Sequence, residues 1–384
     1  MSVETRGPHS ATPVDQGPPP AVARVLDVPP VRERRRRKRG PWKRFKSLVR
    51  RHKALAVILT TALVLLAILV GWLLWLNSKL SDIERFPFEP GGNRPAKVGS
   101  AQNILLIGVD DPAGQGGLFE DLTSEEWEPG KFRSDAIMVL HVSGDRSSAQ
   151  LVSIPRDSFV DVPDRGRTKI NASFSDGGPD ELAQVVEQLT DVYIDHAMVI
   201  DFQDFADLTT TLGGVDVVIP ETVTDTQNQV TWIKGPTRLK GDRALLYVRQ
   251  RYGLPRGDFD RIRRQQNILR AILTKTASAG TLANPVRLTS LVDELSDFVA
   301  VDEAFTPGEM RSLALSSRGI SPANIRFVTV PVTGTPTIDG ASVVTLDLQK
   351  TSEMFDALER DRFEDWYQTN ADGVDELPAV GQVK

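Results

Sequence analysis

Arg156 and Asp157 stand just after the apolar run LVSI (151–154), separated from it only by Pro155. A cation beside an anion at the end of a strand admits two readings. It is a solvated ion pair in a turn, or it is one wall of an anion site. Other charges occupy comparable places. Asp110 closes the run NILLIGV, Arg133 and Asp135 precede AIMVLHV, and Lys169 and Asn171 follow in TKINASF. Arg249 and Arg251 end ALLYVRQR, with Asp258, Arg261, Arg264 and Gln265 close behind. A guanidinium is a planar fork that takes two phosphate oxygens at once, so several converging arginines suit a pyrophosphate. Ligands of α/β sheets gather outside the carboxyl ends of the strands. Carboxylates in such a place repel phosphate unless a hard cation such as Mg²⁺ binds both.

The segment DFDRIRRQQNILRAILTKTAS (258–278) permits a test by spacing. As a helix it places Asp258, Arg261 and Gln265 on one face at i, i+3 and i+7, with Arg264 one position away. Ile262, Ile268, Leu269, Ile272 and Leu273 form the core-facing stripe. A polar row at one end of such a helix is the wall of a site or a solvated face with local ion pairs, and spacing leaves both open.

Several chemistries are excluded. The chain has no cysteine, hence no disulfide and no thiol nucleophile. Its four histidines are His9, His52, His141 and His196, of which the first two precede the folded body. A histidine-rich metal centre is therefore unexpected, and a metal here would be a hard cation on oxygen. LIGVD lacks the glycine spacing of a dinucleotide fingerprint, and Gly114, Gly116 and Gly117 lack the lysine of a phosphate-binding loop. There is no Gly-x-Ser-x-Gly elbow.

Strands are expected at 103–110, 136–142, 149–154, 194–202, 213–220 and 325–332. Helices are expected at 123–128, 181–190, 203–212, 241–249, 258–278, 287–299, 307–317 and 347–360. Interleaved strands and helices predict an α/β chain, an αβα sandwich. Before it, residues 54–76 run 23 residues without a charge, enough for a transmembrane helix. Residues 1–53 hold fifteen Lys/Arg against four acids, a net +11 that leaves −16 on the remainder. Arg50, Arg51 and Lys53 abut the span, which places the N-terminus in the cytoplasm and the body outside. The arm reads as disordered, 77–101 as an extracytoplasmic stalk, 102–365 as the folded domain and 366–384 as a flexible tail. The arm is basic enough to prompt a nucleic-acid reading. Its topology and its lack of aromatics beyond Trp42 and Phe45 speak against that.

NILLIGVD, RSDAIMV, SIPRDS, KINASF, IDHAMVIDFQDFADLTTTLGGVDVVIP, LKGDRALLYVRQR and DFDRIRRQQNIL occur in this order. In that order they resemble the LytR–CpsA–Psr family of cell-wall enzymes, strongly over about 102–275 and weakly to about 350. The resemblance implies a mixed central sheet in the αβα sandwich and a hydrophobic tunnel for a lipid. The activity it implies moves an anionic glycopolymer (teichoic acid, capsular polysaccharide or arabinogalactan) from polyprenyl pyrophosphate to peptidoglycan, forming a phosphodiester. The partners are then the lipid-linked donor, the peptidoglycan acceptor and membrane lipid, with no nucleic acid. Carried onto this chain, Arg156 and Arg249 are catalytic, and Arg133, Arg261 and Gln265 complete the pyrophosphate grip. Asp110, Asp135 and Asp258 hold Mg²⁺, with Mn²⁺ as a substitute, and Asp258 also takes the acceptor's proton. Asp157, Lys169, Asn171, Arg251 and Arg264 support them. Ser158 and Ala136 replace commoner threonines, and 111–130 is a longer loop than many members carry. Two rivals use the same residues: a pyrophosphatase acting on the same lipid, and a non-enzymatic wall-binding or regulatory protein.

Overall fold

NILLIGVD is apolar on both sides of a strand, and it runs through the middle of the sheet. The computed structural model describes residues 41–378, apart from 112–113, 115, 125–126, 203–204, 277–288, 290–291, 294–295 and 297. Eight strands make the main sheet: β1 (Glu84–Phe86), β2 (Gln102–Asp110), β3 (Arg133–Val142), β4 (Ala149–Ile154), β5 (His196–Asp201), β6 (Val299–Asp302), β7 (Ile325–Thr329) and β8 (Asp375–Glu376). Their spatial order is β1-β6-β5-β2-β3-β4-β7-β8. The sheet is mixed, because β2 lies antiparallel to β3 and parallel to β5, while β4 lies antiparallel to β3 and parallel to β7.

Helices cover both faces: α2 (Asn171–Thr190), α3 (Asp242–Arg249), α4 (Asp258–Thr276), α5 (Pro307–Ser316) and α6 (Leu348–Glu359) follow α1 (Pro41–Asp82). Side chains alternate along a strand, so the register decides which residues share a layer. Leu105, Val139 and Val152 lie opposite one another and are fully buried with Ile107, Ile137 and Ile154. They pack with Phe174, Leu182 and Val186 of α2 and Met354, Phe355 and Leu358 of α6. The other face carries Leu106, Leu140, Met198 and Ile200 and meets α4 and its neighbours.

In α1, residues 57–82 are long and apolar enough to cross a membrane, and Leu59, Leu63, Leu65 and Ile68 are exposed along it.

The segment read as a stalk belongs to the folded body. α1 continues to Asp82, β1 pairs in parallel with β6, and Ile83 and Phe86 are buried. Arg94 holds Glu187 of α2 at 2.6 Å, with its guanidinium 4.0 Å over the Tyr193 ring. The prolines and glycines of FPFEPGGNRP conceal these anchors, which are single residues without periodicity. The expected tail likewise contributes β8, which pairs with β7, and a buried Leu377. A two-residue strand leaves no pattern to read.

A helix forms over Leu118–Thr123, after Gly117 at φ 81°, while 125–126 of the helix expected at 123–128 lie outside the described residues. The helix expected from 181 begins at Asn171, with a break at Gly178 (φ 69°) before Pro179. Most of 287–299 lies outside the described residues, and Val299 opens β6. The arm up to residue 40 and the last residues, 379–384, also lie outside them.

Candidate active site

The carboxyl ends of β2, β4, β5 and β7 fall at one end of the sheet, beside the amino end of β3. Asp110 closes β2 directly opposite Arg133, which opens β3. Asp135 follows two residues along β3. Arg156 leaves β4 in a turn that is braced from below. Ser158 donates through its backbone N–H and its hydroxyl to Pro155 O, at 2.9 and 2.6 Å. The Ile170 and Asn171 N–H groups donate to Ser158 O and Arg156 O at 2.8 and 3.2 Å. The KINAS segment is thus the floor of the SIPRDS turn, and Lys169 reaches Asp157 at 2.9 Å.

Charges converge above this floor. Arg156 donates to Asp135 and lies 3.9 Å from Asp157. Arg249, at the end of α3, donates to Asp110. On α4 the spacing argument holds: Arg261 and Gln265 are 2% and 5% exposed, and Arg261 meets Asp258 at 2.7 Å and Asp135 at 3.9 Å. Arg251 approaches Asp258 at 3.6 Å from the loop after α3. Arg133 is exposed at the rim. Burial opposes charge on Arg156, but Asp135, Asp157 and Asp258 outweigh it and hold the guanidinium above its ordinary value. Burial pushes the Asp110 carboxyl up, against the pull of Arg249 and with the help of Asp135.

Two expected residues part company with the group. Arg264 turns to Gln250 Oε1 at 2.7 Å and stacks 4.4 Å over Tyr247, on the side of α4 that meets α3. It is a core cation, because one position along a helix turns a side chain by ~100°. Asn171 contributes its backbone N–H at the start of α2.

Gln266 is a residue the spacing argument passed over. It is fully buried and donates to Ser153 Oγ and Val328 O at 2.9 and 3.0 Å, pinning α4 to β4 and β7 beneath the site. The signal was a glutamine within the apolar stripe.

Buried polar atoms normally find partners. Here Arg156 Nε, Arg249 Nε, Arg261 Nε and Nη2, both amide atoms of Gln265 and both carboxyl oxygens of Asp258 are buried without a hydrogen bond. Asp258 and Arg261 are in contact, but not in hydrogen-bond alignment. Arg133, Arg156, Lys169, Arg249, Arg251 and Arg261 gather here with Asp110, Asp135, Asp157 and Asp258. A pyrophosphate diester offers many acceptor oxygens, which the unpartnered donors lack. Among the described residues no three carboxylates or imidazoles close on a common metal point. Mg²⁺ commonly takes one or two carboxylates and completes its shell with substrate phosphate. Asp110, Asp135 and Asp258 offer the oxygen donors for such partial coordination, and each is also held by an arginine.

The sheet face under these charges differs from its reverse. Leu106, Leu140, Met198 and Ile200, with Leu269 and Leu273 of α4, are only half-buried although they point inward. A close-packed core does not leave opposed leucines exposed. A cavity of about 700 Å³ opens at the far ends of β3 and β4 and touches Ile325, Phe327 and Thr274 on this side. Its polar wall, where Arg326 is paired with Glu376 and Glu364, lies away from the arginine cluster and shares none of its residues.

A family model, described as the LytR_cpsA_psr family, matches residues 79–360. The cell wall biosynthesis protein LcpA of Corynebacterium glutamicum is 32% identical over 340 residues, covering 78% of this chain and 64% of LcpA. The polyisoprenyl-teichoic acid–peptidoglycan teichoic acid transferase TagV of Bacillus subtilis is 30% identical over 241 residues, 61% of this chain and 54% of TagV. The chain thus spans less than two thirds of either relative. The crystal structure of B. subtilis TagV superimposes with a TM-score of 0.56 at 25% identity, covering 69% of this chain and 98% of that one. A LytR-Csp2A-Psr enzyme from Actinomyces oris shares the fold, with a TM-score of 0.56 at 19% identity over 72% of this chain and 96% of its own.

Proposed function

The chain belongs to the LytR–CpsA–Psr family, and from that premise we propose that it transfers an anionic glycopolymer from polyprenyl pyrophosphate to peptidoglycan. The observation that carries the reading is the set of buried guanidinium and amide atoms without hydrogen bonds at the strand ends, above an apolar face. Arg156, Arg249 and Arg261 grip the pyrophosphate, with Arg133 at the rim and Gln265 beneath. The polyprenyl tail lies along Leu106, Leu140, Leu269 and Leu273. A hydroxyl of peptidoglycan attacks the phosphorus attached to the glycan. The bond to the bridging oxygen breaks, and polyprenyl phosphate leaves with that oxygen. The new bond is the phosphodiester. Asp258 takes the hydroxyl proton, its two oxygens being buried and without hydrogen bonds. The arginines stabilise charge developing on the leaving oxygen, aimed in advance by their carboxylates.

Asp110, Asp135 and Asp258 are the residues that would hold Mg²⁺, or Mn²⁺ in its stead, one or two of them together with substrate phosphate, and the ion would supply further neutralisation of the phosphates. The relatives' printed names support teichoic acid and peptidoglycan as the substrate classes. The apolar helix supports a single-pass anchor, and the basic residues before it favour an N-terminus inside and a catalytic body outside, which keeps the enzyme beside a donor that stays in the bilayer.

The test uses the full chain in lipid vesicles with labelled polyprenyl-pyrophosphoryl glycan and peptidoglycan. Label recovered in peptidoglycan as a phosphodiester is expected. Release of free glycan phosphate alone would make the protein a pyrophosphatase. Neither product formed would leave a binding or regulatory protein, and transfer that survives both Arg156→Ala and Arg249→Ala would remove these arginines from the chemistry.

A further inference from the structure

The helix α5 is ordered but owes little to the core. Its start is secured by a capping box between Thr306 and Glu309, and none of its ten residues is buried. Met310 and Leu313, three apart, lean inward on the second apolar cluster. The opposite side carries Arg311 and Leu315, at i and i+4, and Arg318 stands in the 3-10 turn that follows α5. Leu315 is 64% exposed, among the most exposed large apolar side chains of the described residues outside α1.

The position of that side is set by Arg311, which donates to Asn77 Oδ1. Asn77 is the first polar residue after the apolar run ends at Leu76. If that run spans a bilayer, Asn77 marks its outer boundary, and Arg311 sits within a hydrogen bond of it. Further contacts hold the same junction: Lys79 pairs with Asp293, and Arg85 donates to Leu80 O and Phe305 O at 3.0 and 2.8 Å. Leu315 is four residues along α5 from Arg311, ~6 Å of rise. The headgroup layer on each side of the hydrocarbon is itself ~5–8 Å deep.

We propose that α5 and the turn after it (307–320) dock on the outer leaflet, with Leu315 at the acyl boundary and Arg311 and Arg318 among lipid phosphates. The inference rests on the reading of 54–76 as the membrane anchor. It adds a second point of attachment, so that the body is seated on the leaflet. Long arginines reach lipid phosphates while their stems stay apolar, and the exposed leucine between them can meet the acyl boundary.

The chain has no cysteine of its own, so spin labels can be placed singly. Leu315→Cys, Val64→Cys and Ser352→Cys are made in the full chain, labelled and reconstituted into vesicles of phosphatidylglycerol and phosphatidylethanolamine. Collision with a water-soluble nickel chelate and with oxygen is then read by electron paramagnetic resonance. Ser352 is exposed on α6, against the other face of the sheet. The expected result is nickel collision at the Leu315 site several-fold below that at the Ser352 site, with oxygen collision raised. Equal nickel access at the two sites, with the Val64 site shielded, overturns this inference alone. Nickel access at the Val64 site overturns the anchor reading, and this inference with it.

Discussion

Arg156 touches Asp135 and lies near Asp157, so carboxylates aim its guanidinium before any phosphate arrives. Arg156→Ala is expected to lower transfer by about 10²–10³-fold, the usual cost of removing one donor to a developing oxyanion. Arg156→Lys should recover little of it, since an ammonium cannot serve two oxygens in a plane. Single-turnover transfer with saturating donor checks both, and a fully active lysine variant would refute the bidentate role. His141 shows the opposite use of burial. It is 1% exposed, bonds Asn103 Oδ1 at 2.7 Å and has its pKa lowered to about 4 by burial. An unfolded histidine titrates near ~6.5. Between these values the unfolded chain binds more protons than the fold, so stability falls as pH drops through that window. The loss, complete below about 4, is about 3 kcal/mol. Urea unfolding at pH 7 and pH 5 should show a steeper decline for the native chain than for His141→Gln. Parallel declines would show that His141 is not the group responsible.

At the scale of elements, α4 does two jobs with two faces. Its first turns supply Arg261 and Gln265 to the site, and its later turns supply Leu269 and Leu273 to the apolar face. Gln266 sets the register between helix and sheet through Ser153 and Val328. Gln266→Ala is expected to cost about 2 kcal/mol, because Val328 O is left buried without that donor. Transfer should fall further than the lost stability explains, since Arg261 moves with the helix. Thermal unfolding and initial rates on the same samples separate the two effects. A variant as stable and as active as the native chain would remove Gln266 from the account. The face of α4 that meets the site was legible from i, i+3, i+7 spacing. The placement of Arg264 was not, because spacing near a boundary cannot say which neighbour a side chain will find.

At the scale of the molecule, the sheet has one dry face and one that is only partly filled. Leu105 and Leu140 belong to neighbouring strands but to opposite faces. Leu105→Ala should cost about 3 kcal/mol, as for other buried leucines. Leu273→Trp should change stability by less than about 1 kcal/mol, because the added ring enters space rather than a packed core. It should also depress transfer from long-chain polyprenyl donors while sparing short-chain ones. Rates measured with carriers of two lengths test this, and equal losses for both would mean that the tail runs elsewhere.

The sequence by itself determined the interleaved strands and helices, the apolar run of 54–76 and the places where charge interrupts an apolar segment. These are local properties: periodicity, length and the free energy of placing charge beside apolar surface. The ordered motifs added a family, which the match over 79–360 establishes. Only the tertiary structure decided that Arg249 faces Asp110, 139 residues away in sequence, and that Arg264 leaves the site while Gln266 supports it. It alone folded 83–101 and 375–377 into the body, because β1 and β8 are too short to show a period and exist only by pairing with β6 and β7. Pairing, burial and convergence arise between residues far apart in the chain, and that is why SIPRDS was ambiguous until its partners stood around it.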